Sequence, residues 1–204
     1  MANDPLVFYS FDETSGSVAH DQQDGYDGTI FGATHVPGVT GNALQFNGSS
    51  DYVSVADSPD WNFGSGDFTL EFWANFNSIP SGSAGQPGDV LIGQDEGGGT
   101  TNKWFFEAFD GSIGFHVNTV DSGYFFIDAP FEPITGQWYS FDLVKSGSSY
   151  QFYVDGQLVG SAAESLVLPD VNAPLTIGHA EAFGFDGLLD GVAIYNRALS
   201  QAEV

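Results

Sequence analysis

Phe68-Thr69-Leu70-Glu71-Phe72-Trp73-Ala74-Asn75-Phe76 is the stretch that decides the architecture. Phe68, Leu70, Phe72, Ala74 and Phe76 fall on one face, and Thr69, Glu71, Trp73 and Asn75 on the other. A period of two is the pattern of a strand with one side on a core. Working outward, similar runs cover 6–11, 43–46, 52–55, 90–92, 103–109, 113–117, 124–127, 138–145, 150–154, 158–162, 175–178 and 188–195. Asp110-Gly111 and Asp155-Gly156 read as two-residue hairpin turns with positive φ at both central positions. Residues 146–149 form a longer turn. No segment keeps a helical period over three turns; only 58–61 and the C-terminal tail look helical. A dozen or so strands without helices predict an all-β fold, a two-sheet antiparallel jelly-roll sandwich.

The composition agrees. The 204 residues suit a single domain over 1–204, and 42% of them are apolar and 15% aromatic, which excludes a disordered acidic tail. With 27 Gly and 9 Pro, short strands joined by tight turns are expected. Residues 80–87 read as a Gly/Ser loop within the domain. Lys and Arg number 3 against 27 acids, 19 Asp and 8 Glu, for a net charge of −24. Such a polyanion repels phosphate backbones and anionic lipid, so neither nucleic acid nor a membrane surface is an expected partner. No run of about 18 apolar residues exists to span a bilayer. No cysteine is present, which removes disulfides, thiol catalysis and Cys-ligated metals but leaves secretion open. Met1-Ala2-Asn3-Asp4 lacks the basic and apolar regions of a signal peptide, and Leu199-Ser200-Gln201-Ala202-Glu203-Val204 reads as the opening turn of a helix. The expectation is a module excised from a longer protein.

Several pieces in order carry a resemblance: Phe8-Tyr9-Ser10-Phe11-Asp12-Glu13; Asp24-Gly25-Tyr26-Asp27-Gly28-Thr29; Gly41-Asn42-Ala43-Leu44-Gln45-Phe46-Asn47-Gly48 with Asp51-Tyr52-Val53; and Asp67-Phe68-Thr69-Leu70-Glu71-Phe72-Trp73. Gly136-Gln137-Trp138 and Tyr153-Val154-Asp155-Gly156 follow, and then Phe185-Asp186-Gly187-Leu188-Leu189-Asp190-Gly191-Val192-Ala193-Ile194-Tyr195-Asn196-Arg197-Ala198-Leu199-Ser200. Together they resemble the bacterial form of the laminin G-like domains of the concanavalin A-like superfamily. The resemblance implies a sandwich that binds glycans, glycoproteins or matrix partners, often with calcium. Gly191 departs from it, because many relatives carry an acid after the residue matching Asp190.

Four constellations are candidates. The first is a structural calcium site. Asp190 lies mid-strand, where a buried carboxylate needs a cation or donors. The resemblance implies that Asp12, the Gly48 carbonyl and Asp190 hold calcium, an oxygen-only set of the kind this ion takes. Backbone N–H groups or Arg197 are the alternative partners for Asp190. The second is the rim. Residues 94–99, with Asp95 and Glu96, and the loop His179-Ala180-Glu181 fall where the resemblance implies two calcium-holding loops, with Asp95 and Glu181 as ligands; two solvated acidic loops are the alternative. The third is a sugar-binding surface, where rings stack on apolar sugar faces and amides or carboxylates meet hydroxyls. Its candidates are Trp104, Tyr124, His116, Asn102, Asn118, Asp95, Glu96, His179 and Phe183, with Lys103 adding a cation; packing of these rings in the core is the alternative.

The fourth is glycoside cleavage, which needs paired carboxyls about 5 Å apart in its retaining form. Along the strands, Glu71 is followed on its face by Trp73, Asp142 and Glu107 stand alone, and Asp186 and Asp190 share a face two positions removed, with Asp190 better explained by a metal. No Gly-x-Ser-x-Gly elbow occurs. The expected function is therefore a non-catalytic, calcium-stabilised carbohydrate-binding or adhesion module. It would act as a monomer in a secreted or cell-surface protein and bind a glycan, a polysaccharide or a glycoprotein. A ligand-free structural spacer and a polysaccharide-cleaving enzyme are the rivals.

Overall fold

The computed structural model describes residues 4–23, 25–82, 88–120 and 123–204. Asp24 and most of the Gly/Ser loop expected over 80–87 lie outside the described residues, as do Met1, Ala2 and Asn3. In chain order the strands are β1 (Val7–Tyr9), β2 (Val18–Ala19), β3 (Gly28–Phe31), β4 (Thr34–Pro37), β5 (Asn42–Asn47), β6 (Tyr52–Val55) and β7 (Phe68–Phe76). Next come β8 (Asp89–Asp95), β9 (Lys103–Phe109), β10 (Ser112–Thr119), β11 (Gly123–Pro130), β12 (Trp138–Ser146), β13 (Ser149–Val154) and β14 (Gln157–Ala163). The last are β15 (Leu175–Ile177), β16 (His179–Ala180), β17 (Phe183–Gly184) and β18 (Asp186–Tyr195). A 3₁₀ turn, Pro59–Trp61, is capped by the Ser58 hydroxyl; the C-terminal tail forms a turn rather than a helix.

The strands form two large antiparallel sheets. The first runs β14-β13-β12-β7-β18-β5-β4, with β1 also on β18; the second runs β11-β10-β9-β8-β15-β6-β3-β2. The alternation in β7 holds: Phe68, Leu70, Phe72, Ala74 and Phe76 all enter the interlayer core. Rings from the two layers interlock there, as in Phe72 against Phe106 (centroids 5.1 Å apart, edge to face) and Phe68 against Phe115 (5.9 Å). The structure thus confirms the all-β sandwich. Five short strands, β2, β3, β4, β16 and β17, were not foreseen. Of the two predicted hairpin turns, Asp155 and Gly156 both take positive φ, 50° and 70°, as expected. At Asp110-Gly111 only Gly111 does, since one left-handed residue suffices to close that turn.

Two features position the sites. First, β1 and β5 share the same edge of β18, end to end: Leu189 faces Leu44 of β5, and Val192 faces Tyr9 of β1. Between them β18 bulges, with Asp190 opposite Trp73 and Ala193 opposite Glu71, and Gly191 supplies the left-handed φ of 57°. Second, the β16–β17 hairpin folds over the outer face of the second sheet against β8. Val90, Phe105, Ala180 and Phe183 form a separate apolar cluster beneath it.

Candidate functional site

On the outer face of the first sheet, the gap between β1 and β5 is filled by the turn 38–42 and the segment after Tyr9. There Asp190, 4% exposed, accepts hydrogen bonds from the Val39 and Thr40 backbone N–H groups at 2.8 and 3.3 Å. Asp12 accepts one from the Asn42 N–H at 3.0 Å, and the Asn42 side chain donates to the Asp12 carbonyl at 3.2 Å. The two carboxylates therefore converge, and they line a cleft of about 390 Å³ with Ser10, Gln22, Glu71 and Trp73. Burial raises the Asp190 pKa against the pull of the backbone donors, and the nearby Asp12 charge adds to the rise. Arg197 is not the partner of Asp190; it pairs with Glu203 at 3.0 Å.

Gly48 is not in this cleft. It stands at the far end of β5, where an added Cβ would lie 2.9 Å from the Asp186 Cβ, because residues 186–189 of β18 separate that end from Asp190. Among the described residues no three Asp, Glu or His side chains gather as a metal cluster. A cation at Asp12 and Asp190 would need oxygens from Ser10, Thr40, Gln22 or turn carbonyls to complete it. Two carboxylates with amide and hydroxyl oxygens fit a hard ion such as calcium and no soft metal.

Beside the cleft, register brings together what the single strands kept apart. Asp142 of β12 lies directly opposite Glu71 of β7. Burial pushes the Asp142 carboxyl up to about 7, with the Glu71 charge contributing. Burial also raises Glu71, while a hydrogen bond from the Tyr195 hydroxyl opposes the rise. Glu107 has no such neighbour: it is fully buried on the outer face of β9, neither oxygen has a partner, and burial pushes it up to about 8.

At the rim the two expected loops do meet, around a lysine. Lys103, 2% exposed, donates from Nζ to Glu181 and to the Gly97 carbonyl (2.9 Å), with Asp95 Oδ1 at 3.7 Å. Asp95 also accepts from the Glu181 N–H at 3.1 Å and the Gly97 N–H at 2.8 Å. Glu181 is a turn residue with φ of 52°, in the hairpin between β16 and β17. Glu96 Oε1 accepts from the Asn172 N–H at 3.0 Å and lies 3.5 Å from the Asn102 amide, so it latches its loop to the segment before β15; that Asn172 N–H lowers its pKa.

The expected sugar surface divides. Trp104 is 0% exposed and enters the interlayer core, its indole N–H donating to Gln94 at 3.1 Å. It offers no face to a ligand, because β9 presents Trp104, Phe106 and Ala108 inward. Asn118 is buried and donates to the Thr101 carbonyl at 2.7 Å. His116 stacks on Phe105 (4.7 Å), and burial, then Lys103, push it down to about 4. Phe183 is half-buried over Phe105, and Tyr124 stands 72% exposed on the edge strand β11, directly opposite Asn118 of β10.

His179 joins residues that sequence reasoning missed. Phe31 stacks on Tyr52 (4.7 Å, 18° between planes), and Tyr52 meets His179 at 5.9 Å. Burial lowers the His179 pKa, opposed by the Asp95 charge. This strip borders a groove of about 260 Å³ lined by Tyr52, Ser54, Asp95, Thr176, His179 and Glu181. The available signal was the alternation Tyr52-Val53-Ser54-Val55, which leaves Tyr52 on the outer face; β3, which brings Phe31 opposite Tyr52, was not recognised.

Solved structures share the fold at low identity. Domain 4 of AbnA, a GH43 extracellular arabinanase from Geobacillus stearothermophilus, solved with arabinotriose, superposes with a TM-score of 0.75 at 17% identity, over 98% of this chain and 96% of that one. The binding domain of Paraclostridial Mosquitocidal Protein 1 gives 0.72 at 17%, over 99% of this chain and 51% of that one. The Trypanosoma rangeli sialidase in complex with 2,3-difluorosialic acid gives 0.68 at 20%, over 98% and 32%. No curated protein matches the chain in sequence. The family model described as Concanavalin A-like lectin/glucanases superfamily matches residues 47–204, and the chain belongs to that laminin G-like family.

Proposed function

We propose that this chain is a non-catalytic carbohydrate-binding module of a secreted or cell-surface protein, acting as a monomer on a polysaccharide or glycoprotein glycan. The observation that carries the reading is the groove edged by Phe31, Tyr52 and His179. Rings stand in line along it, and Ser54, Thr176, Asp95 and Glu181 supply hydroxyls and carboxylates to its lining. Rings of this kind can stack on the apolar faces of a sugar, and the polar groups can accept from its hydroxyls. The similar arabinanase domain solved with arabinotriose supports a glycan as ligand class. Calcium at Asp12 and Asp190 would act on stability, tying the segment after β1 and the turn before β5 to the middle of β18.

The reading is tested by titrating arabinotriose and a panel of neutral and acidic oligosaccharides calorimetrically. Binding should be weakened at least about fivefold by Tyr52→Ala, the loss of roughly 1 kcal/mol of ring contact. Silence across the panel would favour a structural spacer. The Glu71–Asp142 pair supports a second reading, polysaccharide cleavage. Release of reducing ends by the isolated chain, abolished in Asp142→Asn, would establish it.

A further inference from the structure

We infer that the rim of this domain carries a built-in ammonium, Lys103 Nζ, in the position that a divalent cation would otherwise hold, so that ligand capture at the adjoining groove needs no calcium there. The two rim carboxylates that the family resemblance marks as calcium ligands are both present. They face Lys103, which is 2% exposed and lies within 3.7 Å of Asp95 and in direct contact with Glu181. The Gly97 carbonyl, the kind of oxygen that completes a calcium shell, is also taken, accepting from Nζ at 2.9 Å. A cation already occupies the centre of the donor set, and a second one there would be repelled at close range in a poorly solvated place.

The ammonium also does what a rim metal would do mechanically. It joins the start of the 96–102 loop, through Asp95 and Gly97, to the turn of the β16–β17 hairpin, through Glu181. Backbone hydrogen bonding of Glu181 and Gly97 to Asp95 closes the same knot. Lys103 begins β9, directly opposite Asp95 of β8, so the sheet register itself delivers the charge to the site. The left-handed backbone at Glu181 is a cost that this contact helps to hold. Asp95 and Glu181 are groove-lining residues, so the knot fixes one wall of the groove.

The consequence for capture rests on the groove reading above; the claim about the cation does not. Calcium bound per chain is counted by native mass spectrometry and calorimetry. Lys103→Met should gain one calcium over the unaltered chain and melt higher in calcium than in EDTA by more than the unaltered chain does. Lys103→Met/Glu181→Gln should lose that gain. In the unaltered background, Glu181→Gln should leave the calcium count unchanged, a measurement that decides the matter even if Lys103→Met does not fold. Loss of a bound calcium on Glu181→Gln alone would overturn the inference, as would a folded Lys103→Met that gains none. Arabinotriose titrated with and without EDTA should bind equally. An affinity that EDTA still removes from Asp190→Ala, where the other calcium ligand is gone, would refute calcium-free capture, whereas no binding in either medium would refute the groove reading and leave the cation count standing.

Discussion

Glu107 offers the sharpest test of the packing. Its carboxyl is fully buried on the outer face of β9 with no hydrogen-bond partner on either oxygen. Burial pushes it from 4.5 to about 8. The native state therefore keeps a proton that the unfolded chain has already released at neutral pH. A raised carboxyl pKa means that stability is fully present below the unfolded value, near 4.5, and is lost as pH climbs toward 8. At roughly 1.4 kcal/mol per unit, Glu107 lowers stability by about 3 kcal/mol at pH 7 relative to mildly acidic solution. His116 acts oppositely below 6.5, because it stays neutral when folded down to about 4 while the unfolded chain takes up a proton. Asp142 and Asp89, both pushed up to about 7 by burial, reinforce Glu107 until that point. Above pH 7, Glu107 dominates among these groups. Denaturant melts at pH 7 and pH 8 should show a further loss of about 1 kcal/mol in the unaltered chain. Glu107→Gln should flatten that slope. It should also stabilise the domain at pH 7 by about 1–3 kcal/mol, the amide's own unmet donors reducing the gain. An unchanged slope between pH 7 and 8 in Glu107→Gln would refute the claim that this acid folds protonated.

If calcium bridges Asp12 and Asp190, the melting midpoint in EDTA should fall below that in millimolar calcium, and Asp190→Ala should shrink the contrast. Equal midpoints in both media would dismiss that ion, and recovery with monovalent salt alone would reassign the effect to screening. Trp104→Ala should cost about 3–5 kcal/mol, the loss of a large core ring. A Trp104→Ala chain that melted normally and lost sugar binding would mean that the indole faces the ligand after all.

The fold was legible because its long strands alternate cleanly, as β7 does. The two-residue strands β2, β16 and β17 were not, since two residues give no alternation to see. Trp104 shows the limit of periodicity. All seven residues of β9 are buried, one face by the core and the other on the outer side, where Phe105 packs under the β16–β17 hairpin. Alternation separates two faces but does not say which of them is wet. Pairings across strands were equally hidden. Glu71 and Asp142 are 71 positions apart in the chain and became neighbours only through the register of β7 with β12. The convergence of Asp12 and Asp190 was readable from resemblance, whereas the exclusion of Gly48 depended on how β5 and β1 divide the edge of β18.

The burial of the lysines reaches beyond the rim. Lys145 is also 2% exposed and donates to the Ser65 and Gly66 carbonyls at 3.0 and 2.8 Å. Both ε-amines of the chain are thus committed inside. Reagents that couple through amines, from fluorescent esters to aldehyde fixatives and amine-activated chips, should react with either lysine only when the fold opens. Tethering or labelling of the folded domain at its side chains would have to go through carboxyls instead, and acylation of Lys103 or Lys145 would serve as a chemical clock for unfolding.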